Sequence, residues 1–91
     1  MRLDIFLKLS RLIGRRTLAQ EFCDAGRIKV NDAVAKSSKE VKTGDLIEIS
    51  RRNRILTVRV TSVPDKKQVA KAEAGDLFEV VSEVTVADEI Y

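Results

Sequence analysis

Apolar residues at Leu3, Ile5, Phe6, Leu7, Leu9, Leu12 and Ile13 contain the sets 3/6/7 and 5/9/12, which is helical spacing. A helix is predicted from about Leu3 to Leu12, with Gly14 placed where a helix commonly ends in the left-handed region. A second helix is predicted from Arg16 or Thr17, with Thr17 as its N-cap and Gly26 as its end. Leu18, Phe22 and Cys23 supply its apolar spacing, and Ala19 and Ala25 let two helices approach closely. The pattern then switches to period two. Arg27 to Val30 alternates, Asn31-Asp32 makes a turn, and Ala33 to Ala35 returns as a hairpin.

Lys36 to Lys42 reads as a polar connection with Val41 as its apolar anchor. A turn at Thr43-Gly44-Asp45 leads into a strand over Leu46 to Ser50. The basic turn Arg51-Arg52-Asn53-Arg54 joins it to the longest strand candidate, Ile55 to Val63, which Pro64-Asp65 ends. Lys66 to Ala74 fits a short helix or a loop, and Leu77 to Val81 a last strand that extends toward Val84 and Val86. The acidic C-terminus is expected to fray. The class is α+β: a two-helix hairpin packed on a small, mainly antiparallel β-sheet.

Composition narrows the chemistry. The chain has 91 residues, one Cys and no His, so neither an internal disulfide nor a zinc site is expected. The usual general base at neutral pH is missing, and there is no Gly-rich phosphate loop. We therefore expect no catalytic residues, no metal, no cofactor and no small-molecule substrate. No apolar run nears the roughly 20 residues that span a bilayer. Asp4 interrupts the N-terminus where a signal peptide needs apolar residues, which makes the cytoplasm the expected compartment.

Charge is divided unevenly. Residues 1–54 hold 13 Lys/Arg against 7 Asp/Glu, a net +6, whereas residues 55–91 hold 4 against 7, a net −3. Such polarity suits a polyanion at one face, and RNA, DNA and an anionic membrane surface are all compatible with it. Arg2, Lys8, Arg11, Arg15 and Arg16 cluster on and beside the helical hairpin, where guanidinium forks would match phosphate oxygens. Lys29 lies on the polar side of its strand with Arg27, and Asn31 is either a turn former or a contact. Lys36 and Lys39 are weaker candidates, and Arg51, Arg52 and Arg54 read as a solubilising patch. A solvated basic face remains the bland alternative. Phe6, Phe22 and Phe78 are expected in the core and Cys23 as a small buried apolar residue. With so few free rings, recognition should rest on shape and phosphates.

Arg2-Leu3-Asp4, Phe6-Leu7, Ser10 to Ile13, Arg15 to Ala19 and Gly26 to Asn31, followed by Lys36, Val41, Lys42, Gly44-Asp45 and Ile47, together resemble the S4-type RNA-binding domain. The resemblance covers about residues 1–50 and implies a helical pair on a small sheet that binds structured RNA. Its RNA contacts carry over to Arg2, Lys8, Arg11, Arg15, Arg16, Lys29 and Asn31. Asp4 matches an acidic position, read as structural: it would cap the first helix and orient Arg2 or Arg16. Asp32 departs from the commoner Gly. Residues 51–91 would be a β extension that completes the sheet, too short for the catalytic domain that many relatives carry.

The chain looks most like the small stand-alone members that serve ribosome-associated quality control. That implies a monomer bound to large-subunit rRNA and peptidyl-tRNA on obstructed large ribosomal subunits, supporting C-terminal tailing of stalled chains. Two other readings stay open: a tRNA- or mRNA-binding regulator, and a protein–protein adaptor working through residues 55–86.

Overall fold

The computed structural model describes residues 1–64 and 69–85. Helix α1 spans Leu3–Leu9, with Leu3, Phe6 and Leu7 fully buried. No side chain of the preceding residue caps it. Instead Leu3 N–H donates to the Lys39 carbonyl (2.8 Å) and Asp4 N–H to the Ser37 carbonyl (3.1 Å). The connection at 36–42 thus satisfies N–H groups that a helix start leaves orphaned. Val41, its apolar anchor, is buried as its isolated position suggested.

The first helix ends earlier than its apolar period implies, and not at Gly14. The left-handed residue is Arg11, at φ +63°. Beyond it, Ile13 N–H reaches back to the Leu7 carbonyl (3.1 Å) and the Ile13 side chain is buried. A turn therefore returns Ile13 to the core, and a periodicity argument cannot tell that return from another helical turn. Helix α2 spans Arg16–Asp24. Its first intrahelical bond, from Ala19 N–H, is accepted by the Arg15 carbonyl (3.0 Å), which makes Arg15 the N-cap and leaves Thr17 inside the helix. Gly26, at φ +73°, closes α2 and turns the chain into the sheet.

Five strands follow: β1 (Ile28–Val30), β2 (Ala33–Val34), β3 (Leu46–Arg51), β4 (Arg54–Val60) and β5 (Phe78–Thr85). They form one sheet in the order β2-β1-β3-β4-β5, with each neighbouring pair antiparallel. Asn31 and Asp32 both take positive φ, 51° and 70°, the pattern of the mirror-type two-residue hairpin turn. A bulge interrupts the β4–β5 ladder at Thr57/Val58. Strand β4 ends at Val60, not Val63, where Thr61 N–H turns to the Leu77 carbonyl (2.9 Å). Leu77 belongs to a 3-10 turn (Gly75–Leu77) after the short α3 (Lys71–Ala74) and is buried there, so the last strand begins at Phe78. Asp65, the start of the Lys66–Ala74 segment, Val86 and the acidic tail lie outside the described residues.

One face of the sheet, with Ile28, Val30, Ile47, Ile49, Val58 and Val60 buried, packs against Leu3, Phe6, Leu7, Ala19 and Cys23 of the helical pair. Each such side chain contributes about 1.5–3 kcal/mol of transfer free energy. The arrangement leaves the opposite surface of α1 and α2 to solvent, and that surface carries the cations.

Candidate nucleic-acid interface

Asp4 organises this surface. It sits in the first turn of α1, fully buried, and its carboxylate accepts from two arginines and an amide. Arg2 donates through Nε to Oδ1 and through Nη2 to Oδ2, both at 3.2 Å. Arg16 donates through Nε to Oδ2 at 3.2 Å, and Gln20 through Nε2 to the same oxygen at 2.9 Å. The Ile5 N–H adds a bond to Oδ1 at 2.8 Å. Burial pushes the Asp4 carboxyl up, but the bonds from Gln20, Arg16 and Arg2 and the charge of Arg16 outweigh it, so the pKa falls below its ordinary value.

Two guanidiniums thus share one carboxylate, leaving a net positive charge. Both arginine side chains stay about half exposed, at 45% and 47%. Among the described residues, Arg2 Nη1 and both Arg16 Nη groups have no protein partner and are available to an external acceptor. A cleft of about 300 Å³ between the helices, lined by Ile5, Lys8, Leu9 and Arg16, places Lys8 beside this pair. Lys8, Arg11 and Arg15 are exposed, and none makes an ion pair among the described residues. Arg2, Lys8, Arg11, Arg15 and Arg16 therefore occupy the helical pair and its corner. Asp4 orients both Arg2 and Arg16, where the resemblance implied one or the other, and it lies inside α1 rather than capping it, because the 36–42 connection already takes the first N–H groups.

The other two candidates are placed elsewhere. Lys29 alternates with the buried Ile28 and Val30, so it projects from the sheet face away from the helices, where it meets Glu48 at 3.9 Å. Asn31 uses both ends of its side chain internally, accepting from Leu46 N–H (3.0 Å) and donating to Asp45 (3.2 Å). It serves the turn.

Three residues gain roles that the sequence did not single out. Gln20 donates to Asp4, and its only advance signal is its i+4 spacing from Arg16 on α2. Arg51 is anchored rather than merely solubilising: its Nη2 donates to the Leu12 carbonyl at 2.8 Å. Phe22 is half-buried, and the guanidiniums of Arg27 and Arg51 stand 5.8 and 5.9 Å from its ring centre. Cys23 is buried as expected; burial, with the charges of Asp4 and Asp24, pushes its thiol up to about 11.

Comparison with known proteins shows which family the chain resembles. The pattern of the S4 domain family matches residues 1–47. The chain is 51% identical over 87 residues to the RQC P-site tRNA stabilizing factor of Halalkalibacterium halodurans, covering 96% of this chain and 97% of that protein. It is 44% identical over 90 residues to the protein of the same name from Streptococcus pneumoniae, covering 99% and 100%. In structure it is similar to the trimeric Vibrio cholerae heat shock protein 15, with a TM-score of 0.79, 26% identity and coverage of 90% of this chain and 82% of that one.

Proposed function

The chain belongs to the S4 domain family, and within it to the RQC P-site tRNA stabilizing factors; from that premise we propose that it is a non-enzymatic RNA-binding factor of ribosome-associated quality control. It binds large ribosomal subunits obstructed by peptidyl-tRNA, touches large-subunit rRNA and the tRNA, and so supports C-terminal tailing of the stalled chain. It acts as a monomer in the cytoplasm. Residues 1–50 form the RNA-binding module, and residues 51–91 complete its sheet.

The observation that carries this reading is the Asp4 cluster. One buried carboxylate holds two half-exposed guanidiniums at fixed positions, with Lys8, Arg11 and Arg15 unneutralised around them. A fixed array of forks pointing outward fits a phosphate backbone, because bidentate N–H donors match paired phosphate oxygens without further ordering. Arg2, Lys8, Arg11, Arg15 and Arg16 are the proposed contacts. Lys29, paired with Glu48 on the far sheet face, and Asn31, which holds the turn, are not among them.

The test is co-sedimentation with large ribosomal subunits. Arg16→Ala, and separately Arg2→Ala, should abolish it while the circular dichroism spectrum stays that of a folded chain. Normal co-sedimentation of both variants would overturn the assignment of this surface. Wild-type affinity should also fall steeply with salt, since several phosphates are neutralised. An adaptor reading draws on β5, where Val80, Val81 and Val84 are exposed. Nuclease treatment separates the two: it releases the protein if RNA holds it and changes little if an adaptor contact does.

A further inference from the structure

We infer that Arg27, Arg51 and Arg52 form a second seat for an RNA backbone, on a different face of α2 from the Asp4 cluster; the inference rests on the RNA-binding reading above. The cations outside the helical cluster differ in whether an acid neutralises them: Lys36, Lys39 and Lys42 of the 36–42 connection are exposed and without an ion pair among the described residues, but none of them stands at an aromatic ring there. On the sheet, Arg59 pairs with Glu79 at 2.9 Å, Arg54 with Glu83 at 3.4 Å and Lys29 with Glu48 at 3.9 Å. Arg27, Arg51 and Arg52 are equally exposed, yet none has an ion pair among the described residues.

These cations are held in place rather than dispersed. Arg27 and Arg51 share the ring of Phe22, at 5.8 and 5.9 Å from its centre. Arg51 is fixed further by its bond to the Leu12 carbonyl. That bond uses one of its five donors and leaves the rest for an acceptor. Gathering like charges around one apolar ring is unfavourable until an anion arrives, and cations on an aromatic face keep their in-plane N–H groups free to meet it. Arg52, next in the β3–β4 turn, extends the positive patch.

The patch is separate from the Asp4 cluster. Phe22 lies six residues after Arg16 and two after Gln20, so at about 100° per residue it is turned about 120° and 160° from them around the axis of α2. It is also displaced about 9 Å along the axis from Arg16. A chain with two such seats grips two stretches of backbone at once. Arg51 and Arg52 both lie beyond residues 1–47, the segment that the S4 pattern matches.

The experiment titrates the full chain against purified large ribosomal subunits carrying peptidyl-tRNA, at salt from 50 to 200 mM. The variant is Arg27→Ala with Arg52→Ala, which breaks no side-chain hydrogen bond and spares the Arg51–Leu12 bond. The expected slope of log affinity against log salt becomes shallower by roughly 2, about 0.9 for each phosphate no longer neutralised. The affinity gap to wild type then closes roughly tenfold over that salt range. An unchanged slope overturns the second seat while leaving the first reading intact. A wild-type chain that fails to bind these particles overturns both.

A second measurement locates the two seats on the RNA. An iron chelate is attached at Asn53→Cys or at Thr17→Cys, each with Cys23→Ser, and generates hydroxyl radicals on the bound subunit. Cleavage of two non-overlapping RNA segments is expected. One shared segment would count against a separate seat.

Discussion

Replacing Asp4 with Asn keeps the shape of the hub and removes its charge. The buried carboxylate accepts three bonds from Arg2 and Arg16, one from Gln20 and one from the Ile5 N–H. Asn offers a single acceptor oxygen and turns an NH2 group toward guanidinium donors, so most of the arginine bonds disappear. Charge-assisted bonds contribute about 1.5–3 kcal/mol each when buried, and exposed pairs about 0–1 kcal/mol. With the arginines half exposed, the lower values apply, and Asp4→Asn should cost about 3 kcal/mol. For a domain of this size that lowers Tm by roughly 12–24 °C.

The pH dependence gives the test its edge. Because the folded-state pKa of Asp4 is lowered, its contribution is fully present above the unfolded carboxylate value, near 3.9, and is lost as pH falls through the folded value. Thermal denaturation followed by circular dichroism should therefore show the full gap between wild type and variant at pH 7. The gap should close progressively below about pH 4. A Tm loss under about 4 °C at pH 7, below 1 kcal/mol on this scale, would refute the hub. So would a larger loss that persists undiminished in acid.

Two further outcomes follow from single residues. Arg11 holds a left-handed conformation at φ +63°, which costs an L-residue about 1–2 kcal/mol against an offsetting loss of chain entropy for Gly of about 0.5–1 kcal/mol. Arg11→Gly should thus raise stability by up to about 1 kcal/mol in urea denaturation while weakening RNA binding; a destabilised variant would contradict the strain argument. Cys23, buried with its thiol pushed up to about 11, should be alkylated by iodoacetamide at pH 8 roughly a hundredfold more slowly in the native chain than in urea, since the thiolate is the nucleophile. Native labelling within tenfold of the unfolded rate would show the thiol to be accessible.

The elements most legible from residue pattern were those whose causes are local. The β1–β2 turn follows from Asn31-Asp32, the end of α2 from Gly26, and the buried Val41 from its isolation in a polar stretch. The end of α1 was misplaced because Ile13 satisfies a helical period yet reaches the core through a turn at Arg11. The Asp4 cluster was partly legible through the family resemblance, in which Asp4 matches an acidic position; the pattern of residues alone leaves Arg16 twelve positions away. Gln20 was not, because a neutral amide carries no charge signal. Arg51 was read as solubilising since its acceptor, the Leu12 carbonyl, belongs to a segment whose path depends on that misplaced turn.

Least legible of all was which cations stay unneutralised, and for Arg54 one backbone irregularity decides. With an unbroken ladder from Val58↔Val80, Glu83 would fall opposite Ile55 and on the face away from Arg54. The bulge at Thr57/Val58 shifts the register by one, pairs Leu56 with Glu83, and so puts Glu83 on the face that Arg54 shares. The Arg54–Glu83 pair at 3.4 Å depends on that shift, as the Arg59–Glu79 pair depends on the regular register before it. Exposed pairs of this kind add little stability, about 0–1 kcal/mol each. Their effect is on the field: the two glutamates of β5 neutralise the two arginines of β4, so the cations without an ion pair among the described residues lie on the helical pair, in the 36–42 connection and beside Phe22. Without the one-residue shift Arg54 would join the unpaired cations, so a bulge in the backbone sets the charge of this end of the sheet.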